Sequence, residues 1–457
     1  MDWIPTLNDR DGPVYRRIVE ALTADIASGR LRRGQQLPTH RALAKALGID
    51  LTTVTRAYTE AQRRGLTEAR VGQGTFVAES MSRGRHAAPR PEFDLSMNLP
   101  PQPMEADLEG RLTRGIAAIQ RESGFSAHLN YREPGGTKSE REIAAGWLRA
   151  RIAGVHADQL VICPGTQNAL FNLLITLTSP GDVVLTEALT YPGMKAAAAY
   201  TGVRLVGVPM DERGILPDRL NAACAQYKPK LVYLIPTIHN PTTATMPRSR
   251  REEVAEILRA NDVLLAEDDA YGLLEPNATP LASLIPERTY FAASLSKCIA
   301  PGLRVSFLIT PDQHSAGLLA AALRASVQMP AFLMVALITR WLHDGSAEAI
   351  VGAIRDEAAA RQKLAAEVLG SHPFYRHPNG HHIWIPLPRT WTRTEFASHV
   401  QRQGLAIVTA ETFSVEDTQR HAIRVSLGAA SSRAELVRAL EVLATALKSS
   451  AARIRVV

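Results

Sequence analysis

The apolar positions change period along the chain. Near the N-terminus, Val14, Ile18, Leu22 and Ile26 recur every fourth residue before Gly29, which predicts an amphipathic helix with a glycine stop. Thr39 follows Leu37-Pro38 and can cap a short second helix that buries Leu43, Ala46 and Leu47 and ends at Gly48. After a short turn, Thr52 or Thr53 opens a third helix with Val54, Ala57, Tyr58 and Ala61 on one side, running to Gly65. Two short helices joined by such a turn read as helix-turn-helix. The stretch LTEARVGQGTFVA then predicts two short strands around a glycine-rich turn.

Further on, short apolar runs alternate with polar loops and helical stretches. Strands are expected at 161–163, 183–185, 204–208, 231–235, 262–266 and from Tyr290. The loops that follow them hold Pro164-Gly165-Thr166-Gln167-Asn168, Glu187 with Thr190-Tyr191-Pro192-Gly193, His239-Asn240-Pro241, Glu267-Asp268-Asp269-Ala270-Tyr271 and Ser294-Leu295-Ser296-Lys297. A polar loop after each apolar strand is how α/β folds gather function at the carboxyl ends of their strands. Helices are expected over 139–151 and over 433–447, the latter with Leu436, Leu440, Leu443 and Leu447 on one face.

Length and charge sharpen this division. At 457 residues the chain predicts two or three domains, and 46% apolar residues supports sizeable cores. Residues 1–90 carry 15 of the 52 Lys and Arg but 9 of the 45 Asp and Glu, so nearly all of the net +7 lies there. A compact basic unit ahead of a neutral body predicts a partner in double-stranded DNA. Thr53 and Arg56 near the start of the third helix are candidates for base edges, with Arg63 on the same face. Arg41 and, on the strand pair, Arg70 are candidates for phosphates. Residues 79–92 mix Ser, Gly, Pro and Arg without periodicity and read as a linker. Cys163, Cys224 and Cys298 lack metal-ligand or disulfide spacing, and the N-terminus is unlike a signal peptide. A cytoplasmic protein with no metal and no membrane partner is expected.

The chemistry concentrates at 290–307, YFAASLSKCIAPGLRVSF. A lysine at a strand end, Lys297, among Ser294, Ser296 and Arg304 suits covalent capture of an aldehyde cofactor whose phosphate the hydroxyls and guanidinium hold. An acid in the upstream run Glu267-Asp268-Asp269 suits the protonated nitrogen of a pyridine ring, so the centre of the chain reads as a pyridoxal phosphate pocket. Asp268 and Asp269 are the competing candidates. Ser294-Leu295-Ser296-Lys297 also satisfies the Ser-x-x-Lys form of penicillin-recognising enzymes, but no Lys-Thr-Gly companion is present. His381-His382, beside Ile383-Trp384-Ile385, reads as the start of a strand rather than a metal site.

Pro38-Thr39, Ala57-Tyr58 and Gly74-Thr75-Phe76-Val77, followed by the Asp268, Lys297 and Arg304 set, resemble the MocR-type branch of the GntR regulators. In these a winged helix-turn-helix precedes a fold-type-I, aminotransferase-like body, and the likeness runs from about Val14 to Ala430. It implies a winged helix in 1–78, a linker in 79–92, a large cofactor domain in 93–335 and a small α+β domain in 336–457. By the same resemblance Lys297 matches the cofactor-binding lysine, Asp268 the acid facing the pyridine nitrogen, and Tyr271 and Asn240 the partners of the ring oxygen. Tyr191 matches the stacking ring, and Thr166, Gln167, Ser294 and Arg304 the phosphate cup. Arg424 resembles the arginine that clamps an α-carboxylate. Tyr131 resembles the residue that reaches across a homodimer. One departure is Asp50-Leu51, where many relatives carry a basic or small polar residue. The expected function is a pyridoxal phosphate-dependent regulator that senses an amino acid, an amine or the cofactor itself. The alternative is a working aminotransferase with an appended DNA-binding domain, and the sequence leaves turnover open.

Overall fold

A computed structural model describes residues 3–6, 13–32, 34–63, 66–70, 74–77, 91–122, 124–416 and 421–449. The chain divides into two compact units, Met1–Arg90 and Pro91–Val457. Residues 79–90 of the expected linker, the strand turn 71–73 and the side chains of Arg63 and Arg70 lie outside the description.

The first unit holds three helices, α1 (Val14–Ala27), α2 (His40–Leu47) and α3 (Leu51–Arg63), and the antiparallel pair β1 (Thr67–Arg70) and β2 (Gly74–Val77). Ile18, Val19 and Leu22 of α1, Leu43 of α2, Val54, Ala57, Tyr58 and Ala61 of α3, and Val77 of the wing form one core. Thr39 caps α2 by accepting the Ala42 amide, and Gly48 ends it at φ 65°, a conformation that glycine adopts at little cost. The buried face of α2 differs by one position from the expected one, because Leu43 and Ala44 are buried while Ala46 is exposed. Neither Thr52 nor Thr53 opens α3. Asp50 does, its Oδ1 accepting the Thr52 amide at 2.7 Å.

The second unit is built on a seven-stranded sheet. Its strands are β3 (Leu160–Cys163), β4 (Val183–Glu187), β5 (Arg204–Val208), β6 (Leu231–Leu234), β7 (Leu264–Asp269), β8 (Thr289–Ser294) and β9 (Ser306–Ile309). Their spatial order is β3-β9-β8-β7-β6-β4-β5, parallel throughout except β9, which is antiparallel to both neighbours. Alternate residues feed opposite cores: Ile162, Phe291 and Phe307 on one face, Val161, Ala292 and Leu308 on the other. Helices on both sides explain the uninterrupted apolar runs, since a sheet covered twice has no polar face to show. The acidic cluster is part of β7 rather than the loop after it, and Arg151 meets buried Asp269 at 2.7 Å.

A second, antiparallel sheet is formed by β10 (Tyr375–Arg376), β11 (His382–Pro386), β12 (Val408–Thr409) and β13 (Ala422–Ser426), in the order β10-β11-β13-β12. The closing helix Arg433–Lys448 packs Leu436, Leu440, Leu443 and Leu447 beneath it. The expected division between residues 335 and 336 falls within the helix Phe332–His343, whose buried residues join the core of the large sheet. The two cores meet instead along the helix Ser346–Leu369, which gives Ile350, Val351 and Ile354 to one and Ala365 and Leu369 to the other. Phe93 and Leu95 belong to the second core, because the strand Phe93–Asp94 pairs with Leu405–Ala406. Among the described residues, no helix is long and apolar enough to cross a membrane.

Candidate functional site

A cavity of about 490 Å³ opens at the carboxyl ends of the large-sheet strands and is closed on one side by the small sheet. Lys297, Asp268, Tyr271, Asn240, Tyr191, Thr166, Gln167, Ser294, Arg304 and Arg424 all line it, although they come from positions up to 258 residues apart. Tyr131 does not line it and is 81% exposed in the single chain.

Asp268 lies on β7, and its Oδ2 accepts the Tyr233 hydroxyl from neighbouring β6 at 2.7 Å. The other oxygen, Oδ1, is buried without a partner among the described residues. Burial raises this carboxyl to about 6 against the pull of Tyr233. Lys297 follows β8 by three residues and donates through Nζ to the Asn98 carbonyl. Burial, then Arg424 and Arg304, lowers its ammonium to about 8, with Asp268 opposing. An amine near neutrality at physiological pH is a nucleophile, which a solvated lysine is not.

Tyr271 is buried, and its hydroxyl accepts from Asn98 Nδ2 at 2.5 Å. Asn240, which precedes a cis proline, accepts from Arg424 Nη1 at 3.0 Å. Arg424 rises from β13, lies over the Phe413 ring at 4.9 Å, and also donates from Nη2 to the Ser96 carbonyl. Its Nε is buried without a partner among the described residues, and burial lowers the guanidinium to about 10.

Gly165, at φ 90°, precedes the helix Thr166–Leu177 and gives it no side-chain cap. A Cβ there would stand 2.4 Å from Arg304 Nη2, so glycine admits the guanidinium to the helix N-terminus, where anions bind. Thr166 Oγ1 and Gln167 Oε1 are both buried without partners among the described residues, while Gln167 Nε2 donates to the Gly193 carbonyl at 2.8 Å. Tyr191 immediately precedes the next helix, Pro192–Thr201, without capping it through its side chain, and is half-buried against the cavity.

Several contributors escaped the sequence reading. Tyr233 was legible as a phenol in a buried apolar strand, but its target was not. Ser96 and Asn98 carry no pattern, since they sit on an irregular segment whose carbonyls happen to face Lys297 and Arg424. His381, read as part of a strand, instead precedes β11 and holds the Lys297 carbonyl at 2.6 Å through Nε2.

In the first unit Arg41 and Arg56 are exposed. The Arg56 guanidinium lies 4.1 Å from the centre of the Tyr15 ring, in stacking range. Thr53 is half-buried, in contrast to its expected exposure, because helical rotation turns Thr52 and Thr55 outward instead.

A winged helix-turn-helix on one unit and an aminotransferase-type body on the other define a class of DNA-binding regulator with an enzyme-like domain. Residues 14–77 match the model of bacterial regulatory proteins of the gntR family, and residues 91–443 match aminotransferase class I and II. The HTH-type transcriptional regulator YdeF of Bacillus subtilis is 29% identical over 449 residues, covering 97% of this chain and 96% of that protein. The probable rhizopine catabolism regulatory protein MocR of Rhizobium meliloti is 25% identical over 394 residues, 80% of this chain and 78% of that one. The body shares its fold with LysN, an α-aminoadipate aminotransferase from Thermus thermophilus. The TM-score is 0.72 at 24% identity, over 80% of this chain and 93% of that structure. The chain belongs to the MocR-type branch of the GntR regulators, with a body of the class I and II aminotransferase family.

Proposed function

We propose that the protein is a pyridoxal phosphate-dependent transcription regulator whose body binds the cofactor through Lys297 and senses an amino acid, an amine or the cofactor itself. One observation carries the reading. A lysine lowered toward neutrality, a buried carboxylate and two arginines converge on one cavity in a chain that also bears a basic winged helix.

The donor set fits pyridoxal phosphate. Buried polar atoms without partners are costly, and among the described residues five of them belong to side chains that line the same cavity: Asp268 Oδ1, Thr166 Oγ1, Gln167 Oε1, Asn98 Oδ1 and Arg424 Nε. Asp268 would hold a proton on the ring nitrogen through Oδ1. Arg304, Ser294, Thr166 and the first-turn amides would hold the phosphate, Tyr191 would cover the ring, and Asn240 with Tyr271 would meet its oxygen. When bound, the cofactor supplies an aldehyde for a primary amine and an electron sink for the adjoining carbon. Lys297 supplies the amine that anchors it, and Arg424 supplies the fork for a carboxylate, for which the Ser96 carbonyl must give way.

A sensor requires that its ligand bind two states of the protein with unequal affinity. In a homodimer, Tyr131 is available to complete the site from the partner, which its exposure permits. Purified protein given pyridoxal phosphate should develop a visible absorbance band that the Lys297→Ala variant lacks. Its affinity for DNA from its own upstream region should change with one amine or amino acid. Cofactor bound without covalent attachment in the wild type would sink the assignment of Lys297.

Retention of Lys297, Asp268 and Arg424 together favours a second reading, a working aminotransferase with an appended DNA-binding unit. Turnover with a keto acid that leaves DNA affinity unmoved would select it.

A further inference from the structure

We infer that the first turns of α3 recognise thymine methyl groups in the DNA major groove, with Leu51 as the residue that sets this preference. The inference rests on the reading of the first unit as DNA-binding.

Leu51, the first residue of α3, is 41% exposed, although a leucine at the start of a short helix gains nothing from facing water. It borders a surface groove with Tyr15, Thr52, Thr55, Arg56, Thr59 and Glu60. The three threonines are exposed, yet their hydroxyls are already engaged within the protein. Thr52 Oγ1 donates to Asp50 Oδ1 at 2.5 Å, Thr59 Oγ1 donates to the Thr55 carbonyl at 2.9 Å, and Thr55 Oγ1 lies 3.3 Å from His40 Nδ1. Asp50 in turn is occupied with capping the helix.

The Thr52 and Thr59 hydroxyls, whose protons are committed, cannot donate to guanine O6 or N7, or to thymine O4, and Thr55 Oγ1 shares a hydrogen bond with His40 Nδ1. Beside the Arg56 guanidinium, the Glu60 carboxylate and the acceptor lone pairs of the hydroxyls, this face offers apolar surface, the leucine side chain and the threonine methyls. In the major groove the apolar group that distinguishes one base from the others is the C5-methyl of thymine. Arg56, stacked on Tyr15, remains the candidate for a guanine or a phosphate nearby. The preferred half-site therefore carries thymine where Leu51 meets it.

The test begins with selection of binders from a random duplex library by the full-length protein at fixed salt, since affinity here depends steeply on ionic strength. Each thymine of the selected half-site is then replaced by deoxyuridine, which removes one methyl and leaves the hydrogen-bonding groups intact. At one or two positions the wild type should bind about fourfold more weakly, the effect of losing one buried methyl. In Leu51→Ala the thymine and deoxyuridine duplexes should bind nearly alike at the position that Leu51 reads. Equal binding of every deoxyuridine duplex by the wild type would overturn the inference while leaving the unit a DNA-binding one. A selection that enriches no duplex would remove that reading as well.

Discussion

Replacing Asp268 with Asn should change the pH dependence of stability in the cofactor-free protein. The carboxyl is raised from its ordinary 3.8 to about 6, chiefly because burial penalises its charge. An acid raised on folding holds its proton more tightly in the native chain than in the unfolded one. Its contribution is therefore fully present below the ordinary value, falls as pH climbs through the window from about 4 to about 6, and stays lost above. Two pH units correspond to about 3 kcal/mol, a substantial part of a typical domain's stability. Asparagine keeps the acceptor for the Tyr233 hydroxyl but cannot ionise. The amide left facing the unpartnered position adds a pH-independent cost of about 1–3 kcal/mol, so the slope is the quantity to read. Urea unfolding of both proteins, followed by tryptophan fluorescence between about pH 4 and pH 7, should show wild type losing about 3 kcal/mol relative to the variant. Added pyridoxal phosphate should then stabilise the wild type and leave the variant unmoved. Parallel stability curves for the two proteins would refute the argument that a buried, unpaired carboxylate is maintained for a cationic partner.

The rate at which Lys297 captures the cofactor aldehyde should rise as pH climbs through about 8 and level off above, because only the neutral amine attacks. Stopped-flow absorbance that instead places the midpoint near 10.5, the value of a solvated lysine, would exclude the proposed environment. Gly193→Ala should weaken cofactor binding about tenfold, since the added Cβ would stand 1.9 Å from Gln167 Oε1 and 2.3 Å from the Tyr191 ring, and such overpacking costs about 1–3 kcal/mol. An unchanged titration curve for that variant would remove Tyr191 and Gln167 from the cofactor's surroundings.

The elements with strong local patterns were legible before any coordinates. The four-residue spacing of Val14, Ile18 and Leu22 specifies α1 because a helix repeats every 3.6 residues, and Gly48 ends α2 because its left-handed backbone disfavours other residues. The buried runs at β3, β6 and β8 announce a covered parallel sheet, and the polar residues at their ends announce the cavity. Lys297 and Asp268 were found for the same reason, each standing at or just beyond a strand end where chemistry is exposed, and Arg304 by its place seven residues past the lysine, as the family resemblance implies.

Local pattern failed where the outcome depends on which surfaces meet. The rotation of α3 is set by packing against α1 and α2, so a single-residue shift exchanged Thr53 for Thr52 and Thr55 on the outer face, and Asp50 took the cap. The join between the two cores lies inside the continuous helix Ser346–Leu369, where no break in composition marks it. Ser96, Asn98 and His381 enter the site only because the chain returns to β7 and β8 from distant positions, and a hydrogen bond needs proximity in space, which sequence separation does not encode. The sequence determined the elements and the identity of the reactive groups, through periodicity and residue chemistry. The tertiary structure decided their partners, their burial and hence their protonation, because desolvation and charge act across space and not along the chain.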